Sequence, residues 1–396
     1  MIDFVSLEVA GFRPEELFQN PNLSFTQAIN TQTGEISFDR YGNQKFSAEC
    51  GNLSFTIIYN SHNHRSRLII RGSLHKHRKG NNHEDFTFAD LAETIREIQH
   101  LTGIHPERFI IHQIEFGVNI RPTIPTRQFI DQILSHGGKV YELQQYKGRG
   151  YLIRFNWSQY ELKIYDKGFQ YGLPDDILRT EIKVTKMVFL HAKGIRIETL
   201  ADLLQMPVFL QLRAVFMATM QKLIFTDDRI DPKFIEKKSD RELFKEASNT
   251  RFWKNLREDP NRMKFKRYLN RMDAIRCAFA PDDLKGIYLE QLADKWDAMS
   301  QDVTLLPLAK QAILLRSYPH IVGNNPSSPT RYCLSCGRDI TGQKTGSRFC
   351  SEKTFGRDAK RCRNMDSNPR NAQKRKYKRL YPGYTLFPVY LHCNID

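Results

Sequence analysis

Over much of the first 190 positions, apolar and polar residues alternate singly. Asp3–Val9, Ile36–Phe38, Leu53–Tyr59 and Arg67–Gly72 are short runs of this kind. Turn residues such as Tyr41-Gly42-Asn43 and Asn60-Ser61-His62-Asn63 separate them, which predicts a meander of antiparallel strands. The period changes at Phe88–Thr102, where Leu91, Ile95, Ile98 and Leu101 fall on one helical stripe. Thr87 with Asp90 three residues on forms a capping box, and Gly103 ends the helix. A strand follows at Phe109–Ile120, with Glu115 in its middle; a carboxylate there must be paired or bind metal. Pro125–Gly137 reads as a second helix, with Phe129, Ile130 and Ile133 apolar.

The stretch from Tyr141 to Val184 organises this region of the chain. It holds three strand-like runs, Tyr151–Phe155, Tyr160–Tyr165 and Thr180–Val184, with a Gly172-Leu173-Pro174-Asp175 turn before the last. Glu161, Lys163 and Tyr165 share one face and Leu162 and Ile164 the other. Strands, helix, strand, helix, strands give an α+β domain on a mostly antiparallel sheet with flanking helices. From about Ile197 to Leu315 the spacing turns helical: 198–225, Asp240–Lys254, Arg262–Ala278, Asp282–Gln301 and Leu306–Leu315. The expected boundaries are an α+β domain over 1–195, a helical region over 196–321 and a linker over 322–332. A four-cysteine module over 333–366 and a basic tail over 367–396 complete the chain.

Charge narrows the partner. Lys and Arg number 60 against 44 Asp and Glu, a net +16 over 396 residues, and the isoelectric point is near 9.5. This points to a polyanion, nucleic acid first. There is no apolar run long enough to span a membrane and no signal-peptide pattern at the N-terminus, so a cytoplasmic protein is expected. Of seven cysteines, Cys333, Cys336, Cys350 and Cys362 cluster. That set suits a closed tetrahedral Zn²⁺ site of structural role in a reducing compartment better than disulfides. Arginines and lysines flank it, and Lys374, Arg375 and Lys376 in the tail add a contact surface for DNA.

The candidate chemistry is phosphodiester chemistry. Glu115, Asp166 and Glu181 lie in or beside strands, and converging on one face they would bind Mg²⁺ or Mn²⁺. The ordinary alternatives are a turn at Asp166-Lys167 and a cross-strand pair of Glu181 with Lys163 or Arg179. A tyrosine can attack phosphorus if a metal, a base or cations ease its ionisation, since a free phenol has a pKa of about 10. Tyr146, Tyr151, Tyr160 and Tyr165 are in range; the ordinary reading of each is a strand tyrosine with one apolar face. The histidines at 62, 64, 75, 77 and 83 read as loop residues near DNA. Gly337–Lys344 begins like a phosphate-binding loop, but Gln343 stands where lysine is needed, so no ATPase is expected.

Taken in order, Gly72-Ser73-Leu74-His75-Lys76-His77, Gly80-Asn81-Asn82 and Asp85-Phe86 resemble a segment of rolling-circle replication initiators. These are initiators of the filamentous-phage gene II and plasmid replication-initiator type. Gln113-Ile114-Glu115, Tyr151, Ile164-Tyr165-Asp166-Lys167 and Ile177-Leu178-Arg179-Thr180-Glu181 stand where that family has its acidic, tyrosine and "YDK" segments. The similarity runs over roughly 50–190 and continues faintly to Asn249–Trp253. It implies site-specific nicking of single-stranded origin DNA, a 5′-phosphotyrosine link and a released 3′-OH. By position, Tyr151 is the nucleophile, Glu115 and Glu181 hold the catalytic metal, and Lys76 and Lys167 hold phosphate; Arg179 joins them as a DNA contact. A host helicase and polymerase are the partners such a role implies. Glu115 stands where Asp is usual and Asn119 where a second acid often stands, Gln113 replaces a basic residue and Thr180 an aromatic one. The match around Tyr151 is gapped, so Tyr146 and Tyr160 stay open. A non-catalytic DNA-binding protein on a decayed initiator domain is the other reading.

Overall fold

The structure is a computed structural model. It describes residues 1–301, apart from 30, 31, 33, 35, 37, 40, 41, 61–64 and 145–150, and beyond them Cys333, Ile340, Cys350 and Ser351. The elements run β1 (Ile2–Ala10), α1 (Pro14–Phe18), β2 (Thr26–Gln27), β3 (Gln44–Cys50), β4 (Leu53–Asn60), β5 (Arg65–Ser73), α2 (Leu74–Lys79) and α3 (Phe88–Thr102). There follow β6 (Ile110–Ile120), α4 (Thr126–Asp131), β7 (Ile133–His136), β8 (Glu142–Gln144), β9 (Leu152–Asn156), β10 (Tyr160–Asp166), α5 (Lys167–Tyr171) and β11 (Leu178–Val184). The rest is α6 (Val188–His191), α7 (Met206–Met220), β12 (Leu223–Phe225), α8 (Lys238–Ala247), α9 (Thr250–Glu258), α10 (Arg262–Phe279) and α11 (Leu284–Gln301). The fold is α+β.

Ten strands form one large sheet in the order β2-β3-β4-β5-β1-β6-β11-β10-β9-β8. From β1 to β8 every neighbour is antiparallel. Register fixes the two faces. Lys163 lies opposite Glu181 and Tyr165 opposite Arg179, while Glu181 lies opposite Gly117 and Arg179 opposite Asn119. Glu115, Asn119, Lys163, Tyr165, Arg179 and Glu181 therefore share one face. The other face is apolar and receives helices. Phe116 packs on Phe216 of α7 and Trp296 of α11, with ring centroids 6.4 and 6.2 Å apart. The hydroxyls of Thr180 and Tyr288 bond at 2.8 Å. Gly117 lets β6 and β11 close up, since a Cβ there would overlap the Thr180 carbonyl oxygen and lie 2.6 Å from Glu181 Cα.

Because α7 and α11 roof the sheet, the boundary expected at 195/196 does not divide separate bodies. One compact unit takes in Met1–Val9, Pro14–Ile58 and Leu68–His320. Within it α8, α9 and α10 close a smaller core around Trp253, Leu243, Phe244, Leu256, Met272 and Ile275. A second unit comprises Ala10–Arg13 with the described residues of 59–67 and of 321–396. There the Gly11 and Phe12 amides donate to Ser66, at its carbonyl (3.0 Å) and hydroxyl (3.2 Å).

Local signals hold where both partners are near in sequence. The α3 capping box forms as expected: Asp90 N–H donates to Thr87 Oγ1 (3.2 Å) and Thr87 N–H to the Asp90 carboxylate (2.9 Å). Gly103 closes the helix in a left-handed conformation. The helix expected over 125–137 instead stops at Asp131, and Ile133–His136 becomes β7. Its partner β12 is itself the end of the run 198–225 expected as helix. Pairing of two apolar segments distant in sequence outweighs their helical spacing. The amphipathic run Asp240–Lys254 likewise splits into α8 and α9, with Asn249 capping the second through a bond from Arg251 N–H (2.8 Å).

Candidate functional site

The polar face of β6, β11 and β10 meets the segment 73–86 and helix α5, and a buried network results. Arg179 is its hub, only 2% exposed. Its Nε donates to Glu181 Oε2 (2.6 Å), its Nη2 to Asp3 Oδ2 (2.6 Å) and its Nη1 to Asn119 Oδ1 (3.1 Å). Asp3 also accepts from Ser73 Oγ and, at 2.9 Å, from Asn82 Nδ2. Asn119 Nδ2 donates to the carbonyls of Asn82 (3.1 Å) and His83 (3.0 Å). Ser73 at the same time caps α2 by accepting from Lys76 N–H at 3.0 Å. Gly72 before it is required because a Cβ would overlap the Asn52 carbonyl oxygen.

Lys163 ties the two glutamates together, its Nζ 2.5 Å from Glu115 Oε1 and 3.0 Å from Glu181 Oε1. Two carboxylates share one ammonium, so their protonation diverges. Burial and the neighbouring Glu181 push Glu115 up to about 8. Burial opposes ionisation of Glu181 too, but Lys163 and Arg179 outweigh it and hold its carboxyl well below the usual range. Tyr165 donates to Glu181 Oε2 at 3.4 Å, and burial, then Glu181, raises its phenol well above the ordinary value. Lys167, 1% exposed, donates to Tyr165 OH at 3.4 Å. Burial, then Arg179, brings its ammonium down to about 7.

At the outer edge of this network stands Tyr171, the last residue of α5, 37% exposed. Its hydroxyl donates to Asn82 Oδ1 at 2.9 Å. The ammonium of Lys167 lies 4.8 Å and that of Lys76 5.8 Å from its ring centroid, and the His83 ring lies 5.4 Å away. His75 stacks on Phe86 at 5.0 Å, and neither of its buried ring nitrogens has a hydrogen-bond partner. An open cleft of about 1030 Å³ adjoins, lined among others by His83, Asn119, Arg121, Leu173 and Asp175.

The structure thus brings together Glu115, Glu181, Lys167, Lys76 and Arg179 of the expected site, and separates the others. Arg179, expected against DNA, is buried with all three of its donor edges taken by Asp3, Glu181 and Asn119. Glu181 pairs with Lys163 and Arg179 at once, which is the ordinary alternative its strand position allowed. Asp166 faces away from the glutamates and caps α5, accepting from Phe169 N–H at 2.9 Å, rather than joining them around a metal. Tyr151 also lies across the sheet from the carboxylates. Its successor Leu152 pairs with Tyr165, and its own hydroxyl donates to Asp131 at the end of α4 (2.5 Å). Burial, then Asp131, pushes its phenol up to about 12. Tyr160 is stacked between Trp157 and Phe189, at 5.9 and 4.3 Å. His75, expected in a loop, lies buried in α2.

Lys163 fills the position between Glu115 and Glu181 where a divalent cation would sit, so this arrangement does not fit Mg²⁺ or Mn²⁺. Among the described residues no group of three or more His, Cys, Asp or Glu is placed to hold a metal ion. Cys333 and Cys350 are both buried, with Cys350 N–H donating to Cys333 Sγ at 3.4 Å. Cys336, Cys362, Tyr146, Lys374, Arg375 and Lys376 lie outside the described residues. Sequence reasoning missed Asp3 and Tyr171. Nothing local marks Asp3, whereas Tyr171 had a signal in Asp166 and Gly172, which bracket a one-turn helix.

Fold and site define an α+β protein with a charged, buried network on one face of an antiparallel sheet. No protein-family model matches the chain, and no curated protein matches it. Among solved structures it is similar to the rolling circle replication initiator protein from Geobacillus stearothermophilus. The identity is 12% and the TM-score 0.33, over 68% of this chain and 96% of that one. Among the described residues no helix is long and apolar enough to cross a membrane.

Proposed function

We propose that this chain is a DNA replication initiator that nicks single-stranded origin DNA by transfer to a tyrosine, as in the rolling-circle initiators it resembles over roughly 50–190. One observation carries the reading. Ser73, Lys76, Asn82, Glu115, Asn119, Tyr165, Lys167, Arg179 and Glu181 come from the separate segments on which that resemblance rests. They converge on a single face of the sheet, most of them in one hydrogen-bonded network. In this reading Lys76 holds the scissile phosphate, Lys167 adds its charge from beneath the surface, and the glutamate–arginine network fixes the strands beside them. The released 3′-OH would serve a host polymerase, with a host helicase opening the duplex, in the cytoplasm of a cell carrying a phage or plasmid. No step is routed through Mg²⁺ or Mn²⁺, because Lys163 stands between the two glutamates.

Cys333, Cys336, Cys350 and Cys362 are assigned in this reading to one structural Zn²⁺. Two observations support it: the burial of Cys333 and Cys350, and an amide aimed at the Cys333 sulfur. The basic residues around them, with Lys374, Arg375 and Lys376, would add duplex or single-strand affinity.

The second reading is a DNA-binding regulator without catalysis. What favours it is that the Arg179 donors and the Lys163 ammonium are all engaged by protein groups. One experiment separates the two. Full-length protein is mixed with single-stranded DNA from its own genetic neighbourhood, with Mg²⁺, with Mn²⁺ and with chelator, and run on a denaturing gel. A covalent protein–DNA band is expected. DNA bound under native conditions with no such band in any buffer would establish the regulator instead.

A further inference from the structure

We propose that Tyr171, and not Tyr151, is the tyrosine that becomes joined to DNA, with Lys76 holding the phosphate beside its ring and the buried ammonium of Lys167 against the same ring. This rests on the nicking reading and specifies its nucleophile. An attacking tyrosine must present its hydroxyl to a strand arriving from solvent, must have cations nearby to favour phenolate and phosphate together, and must not face a fixed anion. The described tyrosines near the network divide on these grounds. Tyr160 is closed between two aromatic rings. Tyr165 is buried, its hydroxyl held between Glu181 and Lys167, and Tyr288 is buried against Thr180. Tyr151 is reachable, but its hydroxyl is bonded to the Asp131 carboxylate. That anion stabilises the neutral phenol and repels an approaching phosphate, and Arg127 over the ring at 5.1 Å does not remove it.

Of the tyrosines just named, Tyr171 meets the second and third conditions and its side chain reaches the surface, 37% exposed. It is the most exposed of these rings on the polar side, has Lys167 and Lys76 within 4.8 and 5.8 Å of its centroid, and bonds to a neutral amide oxygen rather than a carboxylate. The buried, unpartnered nitrogens of His75 and the unpartnered Nδ1 of His83 lie in the same segment as Lys76. Of these, the His83 ring lies 5.4 Å from that of Tyr171, so its Nδ1 leaves polar capacity unfilled beside the site. Burial, then Arg179, lowers the Lys167 ammonium to about 7, so the charge it lends the site falls as pH rises.

The step balances without a co-reactant. The Tyr171 hydroxyl gives its proton to solvent, its oxygen bonds to phosphorus, and the bond from phosphorus to the 3′ oxygen breaks. The 3′ oxygen takes a proton from solvent to become the free 3′-OH, while the 5′ side stays on Tyr171.

The test uses the full chain with single-stranded DNA from its own genetic neighbourhood and, beside it, a random-sequence single-stranded 60-mer pool, with Mg²⁺, Mn²⁺ and chelator in parallel. Covalent adducts are isolated under denaturing conditions, nuclease-trimmed and mapped by mass spectrometry. The wild type, Tyr171→Phe and Tyr151→Phe are compared. The expected result is a nucleotide on the Tyr171 peptide, with adduct yield reduced at least 100-fold in Tyr171→Phe and within 3-fold of wild type in Tyr151→Phe. An adduct mapped to Tyr151 or another residue, or one surviving Tyr171→Phe, overturns this assignment and leaves the nicking reading in place. Absence of any adduct in the wild type overturns both. Should Tyr171→Phe fail to fold, mapping in the wild type alone decides.

Discussion

Replacing Arg179 by methionine, similar in length but without charge, would expose what the buried network contributes. The guanidinium makes two charge-assisted bonds to carboxylates that are themselves almost fully buried, and a third to Asn119. Breaking a buried ion pair from one side costs about 3–5 kcal/mol, because the partner charge stays behind. The loss of the Asn119 bond adds about 1 kcal/mol. Lys163 still covers Glu181, and Ser73 and Asn82 still cover Asp3, so the expected total is about 4 kcal/mol at pH 7. The pH dependence is the sharper signature. Burial opposes ionisation of Asp3 and Glu181, and Arg179 helps hold both carboxyls down. Groups with depressed folded values contribute stability above the unfolded carboxylate range, and that stability is lost as pH falls through the folded value. Without Arg179 both values rise, and protonation then relieves the unpaired charge. The deficit of Arg179→Met should therefore be largest at pH 7 and shrink toward pH 4.5. Urea unfolding followed by tryptophan fluorescence, with slopes compared, measures it. A deficit below about 1 kcal/mol, or one unchanged on acidification, would refute the account of the network.

Three further outcomes follow from named contacts. Glu115→Gln mimics the protonated glutamate, so it should cost under about 1 kcal/mol at pH 7. Because Glu115 sits near 8 when folded, above its unfolded value, wild-type stability should fall as pH rises through 8, and that fall should be smaller in the variant, as urea midpoints at pH 7 and 9 will tell. Gly117→Ala forces a methyl into the Thr180 carbonyl and should lower stability by about 3 kcal/mol or leave the protein insoluble, against a control substitution on exposed Lys254. Purified protein should carry one zinc per chain by elemental analysis; Cys350→Ser should lower that content, and an unchanged content would remove Cys350 from the proposed ligands.

Much of the site lay in plain view along the chain, though its partnerships did not. The alternation of Glu161, Lys163 and Tyr165 against Leu162 and Ile164 sets the charged face of β10, because side-chain direction in a strand depends only on parity. The same parity, applied across the register of β9 and β10, separates Tyr151 from that face, and this needs the pairing itself. Asp166 shows the limit of reading a carboxylate by its neighbours: three residues later an amide needed a cap, and the local bond prevailed over any metal.

The sequence by itself determined what rests on contacts a few residues long. These are helix α3 with its capping box, the strands at 53–60, 110–120 and 160–166, the basic character, and the segments that resemble an initiator. Only the tertiary structure decided that 133–136 and 223–225 pair as strands, that the helices after 195 roof the sheet, and that Arg179 faces Asp3 rather than solvent. Those outcomes depend on which distant surface offers the better burial or the missing charge. Asp3 and Arg179 are 176 residues apart, and no spacing along the chain records that one neutralises the other.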